Sequence, residues 1–203
     1  MSSFARFWQN NAAKRPLVTL ALTNGALAGI GDLIAQYITL PTDPGPKKAS
    51  FLANYDAVRT LRFFTYGCMF APVAHKWYSL LDRRFAFPAA AKSVHQNKAA
   101  MLLVTGRRVA ADQIIFAPVA IAAFFGVMGT MEGKTMSELR QTFRDRYPEA
   151  LVGNYVLWPA AQLINFGLVP LIYRVPFSSV VSVFWNTYLS WVNSKNTTAE
   201  PPI

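Results

Sequence analysis

Asn154, Trp158, Gln162 and Asn165 recur at intervals of four, four and three residues inside an otherwise apolar stretch, "NYVLWPAAQLINFGLVP". On a helix they fall within about 80° of one face. Amides neither ionise nor attack; their chemistry is hydrogen bonding, to water, to a solute or to another helix. Two further segments are striped in the same way. Ser179, Ser182, Asn186, Ser190 and Asn193 share one face near the C-terminus, and Gly25, Gly29, Asp32 and Gln36 share one near the N-terminus. Lipid offers such groups no partner, and leaving one unsatisfied there costs several kcal/mol. Each face must therefore meet protein or water. One reading is glue between helices, in which small residues permit close approach and each polar contact contributes roughly 0.6 to 2 kcal/mol. The other is a hydrated path lined by Asp32, Gln36, Asn154, Gln162, Asn165, Ser182 and Asn186, with Gly25 and Gly29 at the packing surfaces.

Ionisable groups inside apolar runs sharpen the choice. Besides Asp32, "GRRVAADQIIFAP" carries Arg108, Asp112 and Gln113. Arg108 and Asp112 are one turn apart, a spacing that makes an intrahelical ion pair available. Asp32 has no such neighbour and needs a cation from elsewhere, with Arg62 and Arg108 as candidates. Charges at membrane depth mark functional sites or structural pairs, and an arginine-lined constriction favours anions. Pro72, Pro118, Pro159 and Pro170 interrupt apolar runs, each predicting a helix kink where neighbours or water satisfy a freed carbonyl. "FAPVA" occurs twice, at 70–74 and 116–120, which is either the trace of a duplicated helix pair or chance.

Other chemistries lack their residues. "GTMEGKT" has three residues between its glycines where a phosphate-binding loop needs four, and no strand precedes it. His75 and His95 are the only histidines and Cys68 the only cysteine, which leaves neither a zinc cluster nor a nucleophile triad. "NTT" at Asn196 fits a glycosylation acceptor, idle in an intracellular protein. The expectation is a protein without a metal or cofactor, and not an enzyme.

The elements that would position the stripes are apolar helices. Of 203 residues, 53% are hydrophobic and 15% charged, against about a quarter charged in an ordinary soluble domain. Lysine and arginine outnumber acids by 20 to 10, but they lie between apolar runs, as suits lipid headgroups better than a nucleic acid. The expected fold is all-α: an integral membrane helical bundle with four or five transmembrane helices and an amphipathic interfacial helix in "EGKTMSELRQTFRDRY". A single membrane-embedded domain, 1–203, would comprise a basic flank at 1–16 and spans at 17–38, 57–81, 99–128 and 150–173. A further apolar helix at 176–194 and a polar tail at 195–203 complete it. Twenty-odd residues at about 1.5 Å each match a hydrocarbon core of about 30 Å. The acid-poor flank reads as a mitochondrial targeting segment or as a plain basic margin. Counting basic residues in the loops does not decide the orientation.

Several of these stretches resemble one family. "GDLIAQ", "RTLRFFTYG", "APVAHKWYSLLD", "GRRVAADQIIFAP", "NYVLWPAAQLINFGLVPLIYR" and "WNTYLS" together are similar to the Mpv/PMP family of mitochondrial inner-membrane and peroxisomal membrane proteins. Tyr155 stands where that family usually has tryptophan, and Pro176 so soon after Arg174 is less usual. The resemblance implies about four spans and a channel for small solutes. Its mitochondrial branch, favoured by the basic N-terminus, implies the inner membrane, maintenance of mitochondrial DNA and, in fungal members, a stress response. The peroxisomal membrane is the alternative. The expected partners are the lipid bilayer, small anionic metabolites, and further copies or a membrane complex. No direct contact with nucleic acid is expected, and a non-conducting scaffold is the competing role.

Overall fold

A computed structural model describes residues 3–39, 47–87 and 98–197, with side chains for 6–39, 51–87 and 99–184. Among them every element is helical: α1 (Ser3–Lys14), α2 (Pro16–Ile38), α3 (Lys47–Asn54), α4 (Ala57–Arg84), α5 (Lys98–Ala111), a π turn (Asp112–Phe116), α6 (Ala117–Met131), α7 (Met136–Leu168) and α8 (Leu171–Thr197). The chain forms two compact units. One comprises residues 1–71 and 178–203, the other residues 72–177. Among the described side chains two stretches, Pro16–Ile38 and Ala99–Met131, are long and apolar enough to cross a membrane, and the part of α8 whose side chains are described, Leu171–Phe184, is also apolar.

In the first unit α1 turns back at Arg15, and the Trp8 indole donates to Thr23 Oγ1 at 2.9 Å. Pro16 then opens α2, where its missing N–H costs nothing. Asp56 starts α4 by accepting the Arg59 N–H at 2.8 Å, the side-chain cap that a helix entry requires. Helices α2 and α4 cross with glycine on glycine. A Cβ on Gly67 would lie 2.9 Å from the Asn24 carbonyl and 3.0 Å from Gly25 Cα, and one on Gly25 would overlap the Cys68 sulfur. Asn24 Nδ2 reaches across the same crossing to the Gly67 carbonyl at 2.6 Å. The later part of α8 joins α2 through Ser179, which donates to Asn24 Oδ1, and through Val183, which packs on Gly31.

In the second unit α6 and α7 form a hairpin. Gly133, at φ +74°, supplies the left-handed turn residue that a side chain would resist. Thr135 and Glu138 form a reciprocal capping box at the start of α7. Phe125 meets Phe143 edge-on at 6.1 Å between centroids, and Leu139 fills the space over Gly129. Trp77 on α4 stacks on Phe116 of the π turn at 5.0 Å, and Tyr78 meets Phe166 of α7 edge-on at 5.4 Å.

Several boundaries differ from the sequence expectation. The basic flank is helical despite its paired asparagines, because Asn11 Nδ2 satisfies the Phe7 carbonyl and Trp8 ties the helix to α2. The short helix α3 was not expected. The third span is longer than 99–128, running from Lys98 through the π turn to Met131. The interfacial helix and the following span are one 33-residue helix, α7, which continues through Pro148. Pro148 and Arg144, whose carbonyl that proline leaves free, are both exposed, so the group can find another partner. Pro170 is not inside a helix: α7 ends at Leu168, and Val169 adopts the extended conformation preferred before proline. Helix α8 accordingly starts at Leu171 and contains Pro176.

Candidate functional site

Polar side chains gather in three clusters, one in the first unit and two in the second. The first is built on Asp32. Its Oδ1 pairs with Arg59 Nε at 2.8 Å, and its Oδ2 accepts from Thr60 Oγ1 and Gln36 Nε2, each at 2.7 Å. Gln36 also accepts the Asp56 N–H at 2.8 Å, so one amide joins the buried acid to the cap of α4. The cation is therefore Arg59, neither Arg62 nor Arg108. Arg59 stands at the third helical position of α4, next to the capping Asp56. Its side chain is 44% exposed while that of Asp32 is fully buried, so the arginine reaches inward from the surface.

The second cluster centres on Asp112, in the π turn. Ala117 N–H bonds back to the Asp112 carbonyl, five residues away, which widens the helix by one residue. That extra residue brings Asp112 and Gln113 inward together, whereas Ile114 and Ile115 point out at 72% and 57% exposure. Pro118 follows at once, in the first turn of α6, so the register change and the proline that lacks an N–H coincide. The Asp112 carboxylate accepts from the Trp77 indole at 2.9 Å, Gln113 Nε2 at 2.8 Å and Gln162 Nε2 at 2.9 Å. Among the described residues no cation pairs with it, so three neutral donors carry a fully buried acid. Outward from it, Asn165 Nδ2 donates to Gln162 Oε1 at 2.8 Å, and Asn154 Nδ2 donates to Gln113 Oε1 at 2.9 Å. Gln162 lies 3.3 Å from the Tyr78 hydroxyl, and the Tyr155 hydroxyl donates to the Gln113 carbonyl at 3.1 Å. This network joins α4, the π turn and α7.

Arg108 belongs to a third cluster and does not pair with Asp112. Its Nη1 lies 2.6 Å from Asp82 Oδ1, and its Nε and Nη2 donate to the Phe85 carbonyl at 3.1 and 2.8 Å. Arg174 Nη1 contacts the same Asp82 oxygen at 2.8 Å, and its Nε donates to the Val169 carbonyl at 3.0 Å. Phe85 and Val169 stand just beyond the C-terminal ends of α4 and α7, so each arginine also meets the negative end of a helix dipole. Phe87 lies under the Arg108 guanidinium at 4.6 Å and Phe166 under that of Arg174 at 5.4 Å. The i,i+4 spacing of Arg108 and Asp112 was real but unused, because each found better partners on other helices.

Gln162 and Asn165 thus come together with Asp112, Gln113 and Asn154 as one network. Trp158 and Pro159 are half-buried on the same helix. Ser182 spends its hydroxyl on the Ser178 carbonyl of its own helix, at 2.9 Å. The side chains of Asn186, Ser190 and Asn193 lie outside the described residues. Gly25 is a tight crossing point, but a Cβ on Gly29 would come no nearer than 3.7 Å to Thr60. Pro72 and Pro159 do sit within helices, α4 and α7. Sequence reasoning assigned no site role to Asp82, Arg174, Arg59 or Thr60. Asp82 and Arg174 are 92 residues apart, a distance no local spacing rule can bridge. A hollow of about 520 Å³ runs along α5 beside Leu102, Leu103 and Gly106; it is apolar, and none of the stripe residues lines it.

Residues 129–190 match the Mpv17 / PMP22 family. Protein SYM1 of Gibberella zeae is 42% identical over 96% of this chain and 100% of its own length. The mitochondrial inner membrane protein Mpv17 of Danio rerio is 34% identical over 96% and 99%, and that of Mus musculus 36% over 92% and 95%. No solved structure matches the chain. With relatives this similar along nearly its whole length, the chain belongs to the Mpv17 / PMP22 family, and its place is the mitochondrial inner membrane.

Proposed function

We propose that the chain is a multi-pass membrane protein that forms a passage for small anionic metabolites. Four or five helices cross the membrane in this reading, and the passage supports mitochondrial DNA maintenance and the metabolic stress response by supplying solutes. The observation that carries it is the pair Arg108 and Arg174, two buried guanidinium groups on one carboxylate oxygen. Burying charge is costly, and a plain helix bundle gains more from apolar packing than from such a knot. Small anions are the solutes that gain from it. The link to mitochondrial DNA is what the family resemblance implies, and it is read as indirect because basic residues are dispersed among apolar runs and form no continuous stripe.

A second reading has its own observation. Asp112, Gln113, Gln162 and Asn165 bond to one another across helices, as a non-conducting scaffold that binds partners within the membrane would require. Purified protein in planar bilayers separates the two. The passage predicts discrete conductance that changes when Arg108 is neutralised or Asn165 is replaced by leucine. Silent bilayers from correctly folded protein would remove the passage and leave the scaffold.

A further inference from the structure

We propose that Arg108 and Arg174 form an exchangeable oxyanion site, in which the Asp82 carboxylate holds the place of a small carboxylate or phosphate. Both guanidinium groups converge on a single oxygen of Asp82, Oδ1, at 2.6 and 2.8 Å. Two planar forks of N–H donors can hold an oxyanion through several oxygens at once, whereas here both meet a single carboxylate oxygen. Arg108 Nη1 meets Asp82 as an ion pair at 2.6 Å without an aligned N–H···O bond, so the contact is electrostatic rather than a well-directed hydrogen bond. A poorly aligned contact on a side chain only 3% exposed is one that an oxyanion of different shape could improve.

Asp82 is the member of the knot that can leave. Its side chain is 27% exposed, against 3% and 6% for the two arginines. The arginines are held without it, because each also donates to a carbonyl at a helix end, Phe85 or Val169, and has an aromatic ring under it. Displacing Asp82 outward would therefore leave two preorganised cations facing each other, and an entering anion would replace the charge it loses. Calling the bound anion a transported substrate rests on the passage proposed above. Binding itself does not, so the two can fail separately.

The test uses the full chain in detergent, titrated calorimetrically with inorganic phosphate and with succinate. Saturable binding of either probe is expected, tightened about tenfold by Asp82→Asn, which removes the competing charge, and abolished by Arg174→Gln. Absence of saturable binding in both the wild type and Asp82→Asn would overturn the proposal, as would binding that survives Arg174→Gln. Should Asp82→Asn fold poorly, added phosphate restores its unfolding midpoint if the site is real; a midpoint indifferent to phosphate means that Asp82 merely staples two helix ends. Nanodiscs distinguish the sources of the anion. Loss of phosphate binding in phosphatidylglycerol but not in phosphatidylcholine makes a lipid headgroup the natural occupant, and equal binding in both points to a soluble solute. Silent bilayers with intact binding would remove the passage and leave the site.

Discussion

At the scale of single residues, Gly25 and Gly29 look alike in sequence and differ in what surrounds them. A methyl group on Gly25 would meet the Cys68 sulfur and, at 2.9 Å, the Phe64 carbonyl, which belongs to the backbone and cannot swing aside. Gly25→Ala should therefore destabilise the protein by about 1 to 3 kcal/mol, the usual cost of overpacking. Gly29→Ala, whose methyl would meet Thr60 at an ordinary contact distance of 3.7 Å, should not lower the unfolding midpoint and should gain up to about 1 kcal/mol of helix propensity. Thermal unfolding in detergent checks the pair, and equal effects at the two positions would contradict the crossing described. The same contrast marks what could be read from the chain. The stripes were legible because the helical period aligns Asp32 with Gln36 and Gln162 with Asn165. Their partners were not, because spacing rules see neighbours on one helix only. Arg108 could be paired on paper with Asp112, four residues on, while Asp82 and Arg174 met only through the fold.

Among the elements, apolar runs announced most of the helices, and what they could not announce was where helices merge or widen. The π turn follows from no composition rule; only the inward placement of both Asp112 and Gln113 reveals its use. Helix α7 hides its continuity because its first half is charged and its second half apolar. Its entry, by contrast, is written plainly as Thr135 and Glu138. Glu138 accepts the Thr135 N–H at 2.7 Å and the Thr135 hydroxyl at 2.8 Å, which, with Lys134 nearby, holds its carboxyl below the ordinary glutamate range. A lowered folded-state pKa means that this support is present above the unfolded value and is lost as the pH falls through the folded one. A spin label at Met136→Cys should accordingly gain mobility on acidification, beginning below the usual carboxylate pKa. Glu138→Ala, which removes both bonds to Thr135, should show the mobile spectrum at neutral pH, with little further change in acid. A pH-independent spectrum in the wild type would mean that the box does not hold the start of α7.

For the molecule as a whole, membrane residence and family were legible from composition and motifs, and the number of crossings was not. Length explains the ambiguity. The run from Lys98 to Met131 and helix α7, with 33 residues, each exceed by far the roughly 20 residues that a bilayer requires, so helix count and span count need not agree. If the other four apolar runs cross as proposed, α8 decides the parity. If it crosses, five spans put the two ends of the chain on opposite sides of the inner membrane; if it does not, four spans put them on the same side. Its sequence carries Ser178, Ser179, Ser182 and Asn186 among its apolar residues. It also contains Pro176, and its Arg174 is bonded to the end of α7. We therefore expect both ends on one side. Protease digestion of epitope-tagged protein, in intact mitoplasts and after their lysis, reads this directly. Tags cleaved together support four crossings, and one tag cleaved while the other is protected would make α8 a fifth. The result also bears on the arginine knot, because Arg174 lies in the first turn of α8. With four crossings the knot lies close to a membrane surface, where Asp82 can exchange with a solute, whereas a fifth places Arg174 at the start of a true span and ties that exchange to how α8 enters the bilayer.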